Sequence, residues 1–283
     1  MAQADRAREF HRANPQHRKA RDAKHLEAML LLRAVHEGEE DARHRMRSVV
    51  EALRKDREVP ESMRAEIVGL DGFLEAEREA SDAVGRRRAF IAAARRLVAE
   101  FPHQPQGYES LLTLARESSA AEAKALLEEL IAMNPPASVK AEAERHLERF
   151  GFVGEQFEEL LIGDAGAEVK AAIEPGKPVV LYSWATWSPG SFALARELAK
   201  RDLTRATILA LNLDNDVKAA QELAAREALP GRMIYDAAGP YGVVAGRLRI
   251  NGAPLVFLID SEGTVRDVRG TEDFQTKLAA LGL

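Results

Sequence analysis

The feature that most restricts the fold of this chain is a series of short apolar runs that begins after Gly151. Three bounded runs, at residues 178–185, 206–214 and 253–260, are rich in Val, Ile and Leu. Such runs are typical of strands that are buried on both faces of a sheet. Helical stretches at residues 189–202 and 216–229 follow the first two runs. This β-α-β-α order predicts an α/β domain with parallel neighbouring strands and right-handed crossovers.

The segments around these runs predict two hairpins and a closing helix. Residues 255–270 contain a turn whose glycine, Gly263, can adopt positive φ, so they predict a β-hairpin. Residues 272–283 predict a last helix. Ahead of the first sheet strand, residues 157–172 predict an extra hairpin with its turn at residues 163–166.

Residues 1–150 have a different pattern, that of helices. They are rich in Ala, Leu, Glu and Arg, with apolar residues at helical spacing and prolines between the segments. Residues 25–38 predict one helix that ends at Gly38, with Leu26, Met29, Leu30 and Arg33 on one helical face. We therefore predict an all-α domain of helical hairpins over residues 1–150 and a second domain over residues 151–283.

One stretch of the helical region, residues 105–135, has the length and pattern of a tetratricopeptide (TPR) helix pair. Stacks of such pairs usually present a groove for peptides. A packing or self-association module is the alternative, and the sequence leaves both open. The residues expected to face the partner helix are Tyr108, Leu111, Leu112, Leu114 and Ala115.

Composition excludes several functions. The chain of 283 residues contains no cysteine, which removes disulfides, thiolate metal sites and thiol–disulfide exchange. The net charge of -5 comes from interleaved acidic and basic residues, which argues against nucleic-acid binding. No apolar run reaches the ~18 residues of a membrane span, and the polar start predicts no signal peptide. The seven histidines lie at no convincing metal-ligand spacing, so we predict neither a metal site nor a cofactor.

Residues 181–191, LYSWATWSPGS, have the form of a redox motif with serine in both cysteine positions. A strand, this motif at a helix start, a second βα unit and an Ala-Pro pair before a hairpin together resemble the thioredoxin fold. More narrowly, the order resembles the TlpA/ResA-type thiol–disulfide oxidoreductases, which are related to the AhpC/TSA proteins. The resemblance covers residues 151–283. The residues that carry it are Trp184, Ala185, Thr186, Trp187, Ser188, Pro189, Ser191, Ala253, Pro254, Phe257, Leu258, Ile259, Asp260 and Gly263.

The resemblance implies a thioredoxin-like domain, with a central mixed sheet flanked by helices, but not the family's chemistry. That chemistry needs a thiolate and a resolving thiol, and the degenerate motif Ser188-Pro189-Gly190-Ser191 offers neither. We therefore predict no catalytic residue. A nucleophilic role for Ser188 would need an oriented base, and this half of the chain contains no histidine. Ser188 is instead predicted to cap the helix by accepting from backbone N–H groups, with Pro189 at the first helical position.

Acid–base support around the motif is missing as well. Family members often carry an acidic residue six positions before the first cysteine, a glutamate three positions after the second, and a proline two further on. Tyr182, Leu194 and Arg196 stand in those places here. Because a laboratory Cys→Ser replacement would leave the carboxylates intact, the joint loss favours natural decay of the redox function over engineering.

The resemblance also implies a binding site that does not need thiols. In the family a cis proline lies beside the motif, and the backbone before it pairs with an extended peptide; Ala253-Pro254 occupies this place. Together with Trp187 and Ser188, this pair is predicted to hold a peptide by strand addition. Binding of an anion at the helix start and a purely structural role are the alternatives.

The sequence thus predicts a redox-inactive, two-domain bacterial protein whose partner is a protein or extended peptide. The first alternative is a Cys→Ser form of a TlpA-like oxidoreductase. The second is a scaffold that self-associates through its helical half. The resemblance implies a periplasmic or secreted location, and the absence of a signal peptide in this sequence leaves a cytoplasmic one open.

Overall fold

The computed structural model describes residues 1–161, 163–201, 204–269 and 274–283. The chain divides into two compact units, Met1–Ala143 and Glu144–Leu283. The boundary predicted from the sequence lies at the end of the helix Ala137–Phe150, whose last turns belong to the second unit.

Residues 1–150 are helical, as predicted. The first unit buries one large apolar cluster, which includes Leu31, Met46, Ile67 and Leu97 from four different helices. The helices are α1 (Ala2–Ala13), α2 (Ala20–His36), α3 (Glu40–Lys55), α4 (Glu61–Glu79), α5 (Ala83–Glu100), α6 (Gln106–Glu117), α7 (Ala120–Ala132) and α8 (Ala137–Phe150).

The buried face of α2 differs from the prediction. Ala28, Leu31 and Leu32 are buried, whereas the side chain of Leu26 is 51% exposed and Arg33 is also exposed. The apolar pattern misplaced the face because Glu27, a charged residue, is turned inward and only 4% exposed. The predicted end of the helix is confirmed, since α2 stops at His36 and Gly38 follows with φ +92°.

The helix pair expected at residues 105–135 is present as α6 and α7. The face predicted to meet the partner helix is buried, with Tyr108, Leu111 and Leu112 all at most 6% exposed. The Tyr108 hydroxyl donates a hydrogen bond of 3.0 Å to the Pro102 carbonyl, which ties the start of α6 to the preceding turn.

The second unit contains a five-stranded mixed sheet in the order β3-β2-β1-β4-β5. Strands β1, β2 and β3 are parallel, and β4 and β5 run antiparallel. All six residues of the central strand β1 are buried, which explains its continuous apolar sequence. The strands are β1 (Val179–Trp184), β2 (Thr207–Asn212), β3 (Arg232–Ile234), β4 (Leu255–Ile259) and β5 (Val265–Asp267).

Alternate residues of a strand point to opposite sides of the sheet. Both faces of this sheet carry apolar residues, and helices cover both of them. Leu181 belongs to one buried cluster and Tyr182 to the other. The remaining helical elements of the described residues are α9 (Phe157–Leu160), α10 (Gly163–Lys170), α11 (Pro189–Ala199), α12 (Val217–Glu227), a 3₁₀ turn (Gly239–Tyr241), α13 (Val243–Arg247) and α14 (Phe274–Ala280). No helix of the described ranges is long and apolar enough to cross a bilayer.

The hairpin expected around residues 163–166 is wrong, since α10 occupies this place. Gly166 and Val169 are both buried, at the spacing of three that belongs to a helix rather than a strand. Gly166 is needed for a close approach, because a Cβ there would lie 2.8 Å from the carbonyl carbon of Leu161. A glycine that permits packing was thus mistaken for a glycine of a turn.

Candidate functional site

The serine motif lies where the central strand passes into a helix. β1 ends at Trp184, a short loop follows, and α11 begins at Pro189. Because β1 and β2 are parallel, the loop that follows β2 lies at the same edge of the sheet. Residues at the end of β1, the end of β2 and the start of α11 therefore meet at one place.

Ser188 stands at the N-cap position, but it does not cap the helix as predicted. Its side chain makes no hydrogen bond to the backbone N–H groups of α11. Instead, the Ser188 hydroxyl donates a hydrogen bond of 2.8 Å to the Ala253 carbonyl. The loop before Pro254 brings the Ala253 carbonyl oxygen close to the start of the helix. The Ser188 hydroxyl donates to this oxygen and therefore does not cap the helix. Ser188 is only 6% exposed.

Ser191 occupies the second cysteine position in a different environment. It is fully buried, and its hydroxyl is one of the buried polar atoms for which the described residues offer no hydrogen-bond partner. A buried hydroxyl without a partner keeps the cost of its lost hydration. The position is therefore suited to a small side chain that needs no hydrogen-bond partner.

The Ala253–Pro254 pair lies against the start of α11, and its peptide bond is cis. A Cβ at Gly190 would lie 3.2 Å from Pro254 Cδ, so the two segments are in close contact. The Ser183 hydroxyl fixes the same loop from the strand side, donating to the Gly252 carbonyl (2.8 Å) and accepting from the Leu255 N–H (2.9 Å). The loop is thus held by Ser183 on one side and Ser188 on the other.

The two tryptophans of the motif differ completely in exposure. Trp184 is fully buried and packs edge-on against Tyr235 at 6.3 Å between ring centroids. Trp187 is 56% exposed, beside the buried Ser188. The structure therefore joins Ser188 to Ala253 and places Gly190 against Pro254, while the side chain of Trp187 is exposed to solvent.

The residues that replace the family's acids are structural. Tyr182 is fully buried and donates a hydrogen bond of 2.8 Å to the Pro230 carbonyl. Burial, with a smaller contribution from Tyr235, raises the pKa of the Tyr182 phenol well above its ordinary value. Leu194 packs against the apolar cluster on its face of the sheet, and the exposed Arg196 pairs with Glu227 at 3.2 Å. None of these side chains offers a proton relay at neutral pH.

A buried carboxylate beside the motif was not predicted. Asp214, just after β2, is 6% exposed and accepts hydrogen bonds from the Thr186 N–H (2.8 Å), the Thr186 hydroxyl (2.7 Å) and the Asn212 amide (2.8 Å). These bonds hold the loop that carries Trp187. The polar residues directly after an apolar strand were a signal for this contact, because the ends of parallel strands meet at one edge of a sheet.

The chemistry open to this site is narrow. No thiol is present. The Ser188 hydroxyl is hydrogen-bonded to the Ala253 carbonyl, and the Ser191 hydroxyl is buried. Among the described residues, no group of three potential ligands is placed to hold a metal ion. What the site does offer is an exposed aromatic ring, that of Trp187, and a backbone loop held by Ser183 and Ser188.

Comparison with known proteins finds similarity over the half of the chain that contains this site. Residues 152–279 match the Redoxin family model. Over 98 residues the chain is 35% identical to a thiol:disulfide interchange protein DsbE of Yersinia pestis, covering 34% of this chain and 50% of that protein. A DsbE of Tatumella citrea is 35% identical over 96 residues, with the same coverage. The chain thus spans about half the length of the curated relatives that it matches.

Solved structures of similar proteins cover the same region. A thiol-disulfide oxidoreductase from Bacteroides fragilis is 20% identical, covering 38% of this chain and 82% of that one, with a TM-score of 0.35. A secreted disulfide oxidoreductase of Mycobacterium tuberculosis, homologous to E. coli DsbE, is 25% identical, covering 41% and 87%, with a TM-score of 0.33.

Residues 152–279 therefore match a redoxin domain and have a thioredoxin-like fold. The predicted fold class is confirmed: a mixed sheet flanked by helices, preceded by a helical region. The domain is similar to thiol:disulfide interchange proteins, and the chain contains no cysteine.

Proposed function

We propose that the second unit is a redox-inactive thioredoxin-like module that binds an extended segment of a protein or peptide beside Trp187 and Pro254. The observation that carries the proposal is the exposed indole of Trp187, the residue directly before Ser188, whose hydroxyl is hydrogen-bonded to the Ala253 carbonyl. Trp187 is 56% exposed, a high value for the largest apolar side chain, and such rings are common anchors in interfaces.

The backbone of the loop supports strand addition at one particular group. The Ala253 carbonyl is taken by the Ser188 hydroxyl, but among the described residues none accepts a hydrogen bond from the Ala253 N–H. Ala253 and Pro254 are both partly exposed. An incoming carbonyl oxygen of an extended peptide is the natural partner for this N–H.

Redox inactivity is supported by the groups that fill the motif. A serine hydroxyl is not appreciably ionised at neutral pH and forms no disulfide, since exchange requires a thiolate. An insulin-reduction assay on the chain is therefore expected to give no turnover above background. Clear turnover would refute this part of the proposal.

The binding part is tested with a peptide array probed with the full-length chain. Binding of a subset of peptides is expected, and Trp187→Ala and Pro254→Ala should both abolish it. Leu70→Ala is the matched control, because it removes another exposed apolar side chain, 41% exposed, from the helical unit. No binding at all, or binding that survives both site variants, would exclude the site.

The second candidate is a Cys→Ser form of an oxidoreductase, and Ser191 is the observation that favours it. A fully buried hydroxyl without a partner suits a thiol better than a serine, because a thiol is a weak donor that tolerates apolar surroundings. Cysteine codons at positions 188 and 191 of the encoding gene would establish this alternative, and serine codons would exclude it.

For the helical unit we propose a TPR-like contribution to partner binding through α6 and α7. The pair is supported by two helices of 12 and 13 residues joined by a connection of two residues, Ser118 and Ser119. The test is to repeat the array with Arg95→Ala, since the exposed Arg95 bridges α5 to Glu129 on α7 through two bonds of 2.6–2.7 Å. An altered set of bound peptides would support a contribution of this face, and an unchanged set would argue against it.

A further inference from the structure

The helical unit contains a cavity of about 580 Å³ between its first three helices. It is lined by Arg8, His11 and Arg12 of α1, by Lys24 and Glu27 of α2, and by a face of α3 that includes His44, Ser48 and Val49. This volume is in the range of small-molecule sites. Charged side chains from three helices line it, and because Arg12, Asp41 and His44 are exposed, the cavity is open to solvent.

Two ion pairs inside the cavity are already complete. Glu27 accepts from Arg45 at 2.7 Å and lies 2.7 Å from the His11 ring nitrogen. Lys24 pairs with Asp56 at 2.6 Å. These contacts neutralise Glu27 and Asp56 and link α1, α2 and α3 to one another.

Two guanidinium groups on the same wall have no such partner. Arg8 and Arg12 are one helical turn apart on α1, so they lie on the same face. Within the part of the chain that the structure describes, neither makes an ion pair or a side-chain hydrogen bond. On the lining opposite them, from α3, Asp41 is likewise without an ion pair, and His44 and Ser48 add uncommitted polar groups.

Counting only the groups that are not already paired, two arginines and one aspartate leave a net charge of one positive unit in the cavity. That balance suits a monoanion better than a doubly charged phosphate. A guanidinium fork matches a carboxylate by two parallel hydrogen bonds. Farther along α3 the lining becomes apolar, with Val49, Ala52 and the buried Leu53.

We propose that this cavity binds a small organic acid, whose carboxylate pairs with Arg8 and Arg12 and whose apolar body packs against Val49 and Leu53. The site lies wholly within the helical unit and does not depend on the proposed function of the redoxin domain.

The test uses the full-length chain and phenylbutyrate as the probe, followed by amide-resolved NMR and by calorimetry. We expect a dissociation constant of about 1 mM or lower, as is usual for a ligand of this size with one charged anchor. Shift changes should be confined to α1, α2 and α3. Phenylbutyramide, which has the same body without the charge, is expected to bind at least about tenfold more weakly, a difference of about 1.4 kcal/mol.

The variant Arg8→Gln with Arg12→Gln is expected to weaken phenylbutyrate binding about tenfold or more. Because neither arginine has a described partner, its thermal unfolding should match that of the parent chain. The single variant Arg12→Gln, at an exposed side chain, keeps the test usable if the double variant is destabilised. Arg21→Gln is the control, since it removes an exposed arginine of α2 that does not line the cavity.

Three results would overturn the proposal. The first is equal affinity for phenylbutyrate and its amide. The second is unchanged affinity in both the double and the single arginine variants. The third is tighter binding of phenyl phosphate than of phenylbutyrate, which would refute the preference for a monoanion.

Discussion

Ser188 and Ser191 are only three residues apart, but their hydroxyl groups differ in hydrogen bonding. The Ser188 hydroxyl has a carbonyl partner at 2.8 Å, and the buried Ser191 hydroxyl has no partner among the described residues. The sequence predicted that the two positions would lie together at a helix start, but not this difference. A serine that caps a helix and a serine that anchors a loop look the same in the sequence. Which role Ser188 has depends on the position of the Ala253 carbonyl in the folded chain.

The first prediction compares these two serines by the same substitution. Ser191→Ala is expected to raise the free energy of unfolding by about 1 kcal/mol, because it removes a buried hydroxyl that has lost its hydration. Ser188→Ala is expected to lower it by about 1 kcal/mol, because the Ala253 carbonyl loses its donor. Urea unfolding of both variants measures the difference. Equal destabilisation by both substitutions would show that Ser191 has a partner after all.

The second prediction restores both thiols. The double variant Ser188→Cys with Ser191→Cys is expected to form an intramolecular disulfide, as the resemblance to the family implies, which thiol titration and mass measurement would detect. Its insulin-reductase activity should remain at least about tenfold below that of an active thioredoxin, since positioned proton transfer contributes ~10²–10⁴-fold where it is present. Tyr182 and Leu194 supply no such group. Activity equal to that of the active thioredoxin would show that the missing carboxylates matter little.

At the scale of elements, the β4–β5 hairpin depends on one carboxylate. Burial opposes the charged form of Asp260, but hydrogen bonds from the Thr264 N–H (2.9 Å), the Arg266 guanidinium and the Glu262 N–H (3.0 Å) outweigh it and lower the pKa of Asp260. A carboxylate whose pKa is lower in the folded chain than in the unfolded one stabilises the fold when it is charged.

The third prediction follows from that shift. The stabilisation by Asp260 is fully present above its unfolded pKa, about 3.9 for an aspartate, and is lost as the pH falls through the lower folded value. Asp260→Asn should therefore lower the free energy of unfolding at pH 7 and have a smaller effect near pH 3. Urea unfolding at both pH values tests this. Glu262→Gln, which removes a neighbouring exposed carboxylate without a described ion pair, should show no comparable change.

Most elements could be predicted because their patterns are long and regular, and the misses have particular causes. β3 escaped notice because it has only three residues, and the 3₁₀ turn and α13 because glycines interrupt residues 239–247. α10 was read as a hairpin because Gly166 serves close packing rather than a turn. The face of α2 was misplaced because the inward Glu27 is neutralised by Arg45, a contact between helices that no local pattern contains.

At the scale of the whole molecule, the two units meet in sequence within α8. The last turns of this helix belong to the second unit, where Phe150 packs against the apolar cluster and the Arg149 guanidinium donates a bond of 2.9 Å to the Arg249 carbonyl. The domain boundary predicted after residue 150 would remove both contacts from the redoxin domain.

The fourth prediction is that a fragment of residues 144–283 is more stable than one of residues 151–283. Loss of the Phe150 contact and the Arg149 hydrogen bond is expected to cost about 2–3 kcal/mol. Thermal and urea unfolding of the two fragments give the comparison. Equal stability would mean that the redoxin domain begins after α8, as the sequence indicated.

The hydrogen bond between Ser188 and Ala253 has a consequence for when the site is available. An active thioredoxin alternates between an oxidised and a reduced state, and its hold on a partner changes with each cycle. Here the two segments are joined by a bond that neither oxidants nor reductants alter. The site therefore keeps one geometry in oxidising and in reducing surroundings. Under the proposed function, we expect a bound segment to be released by dilution or competition rather than by electron transfer.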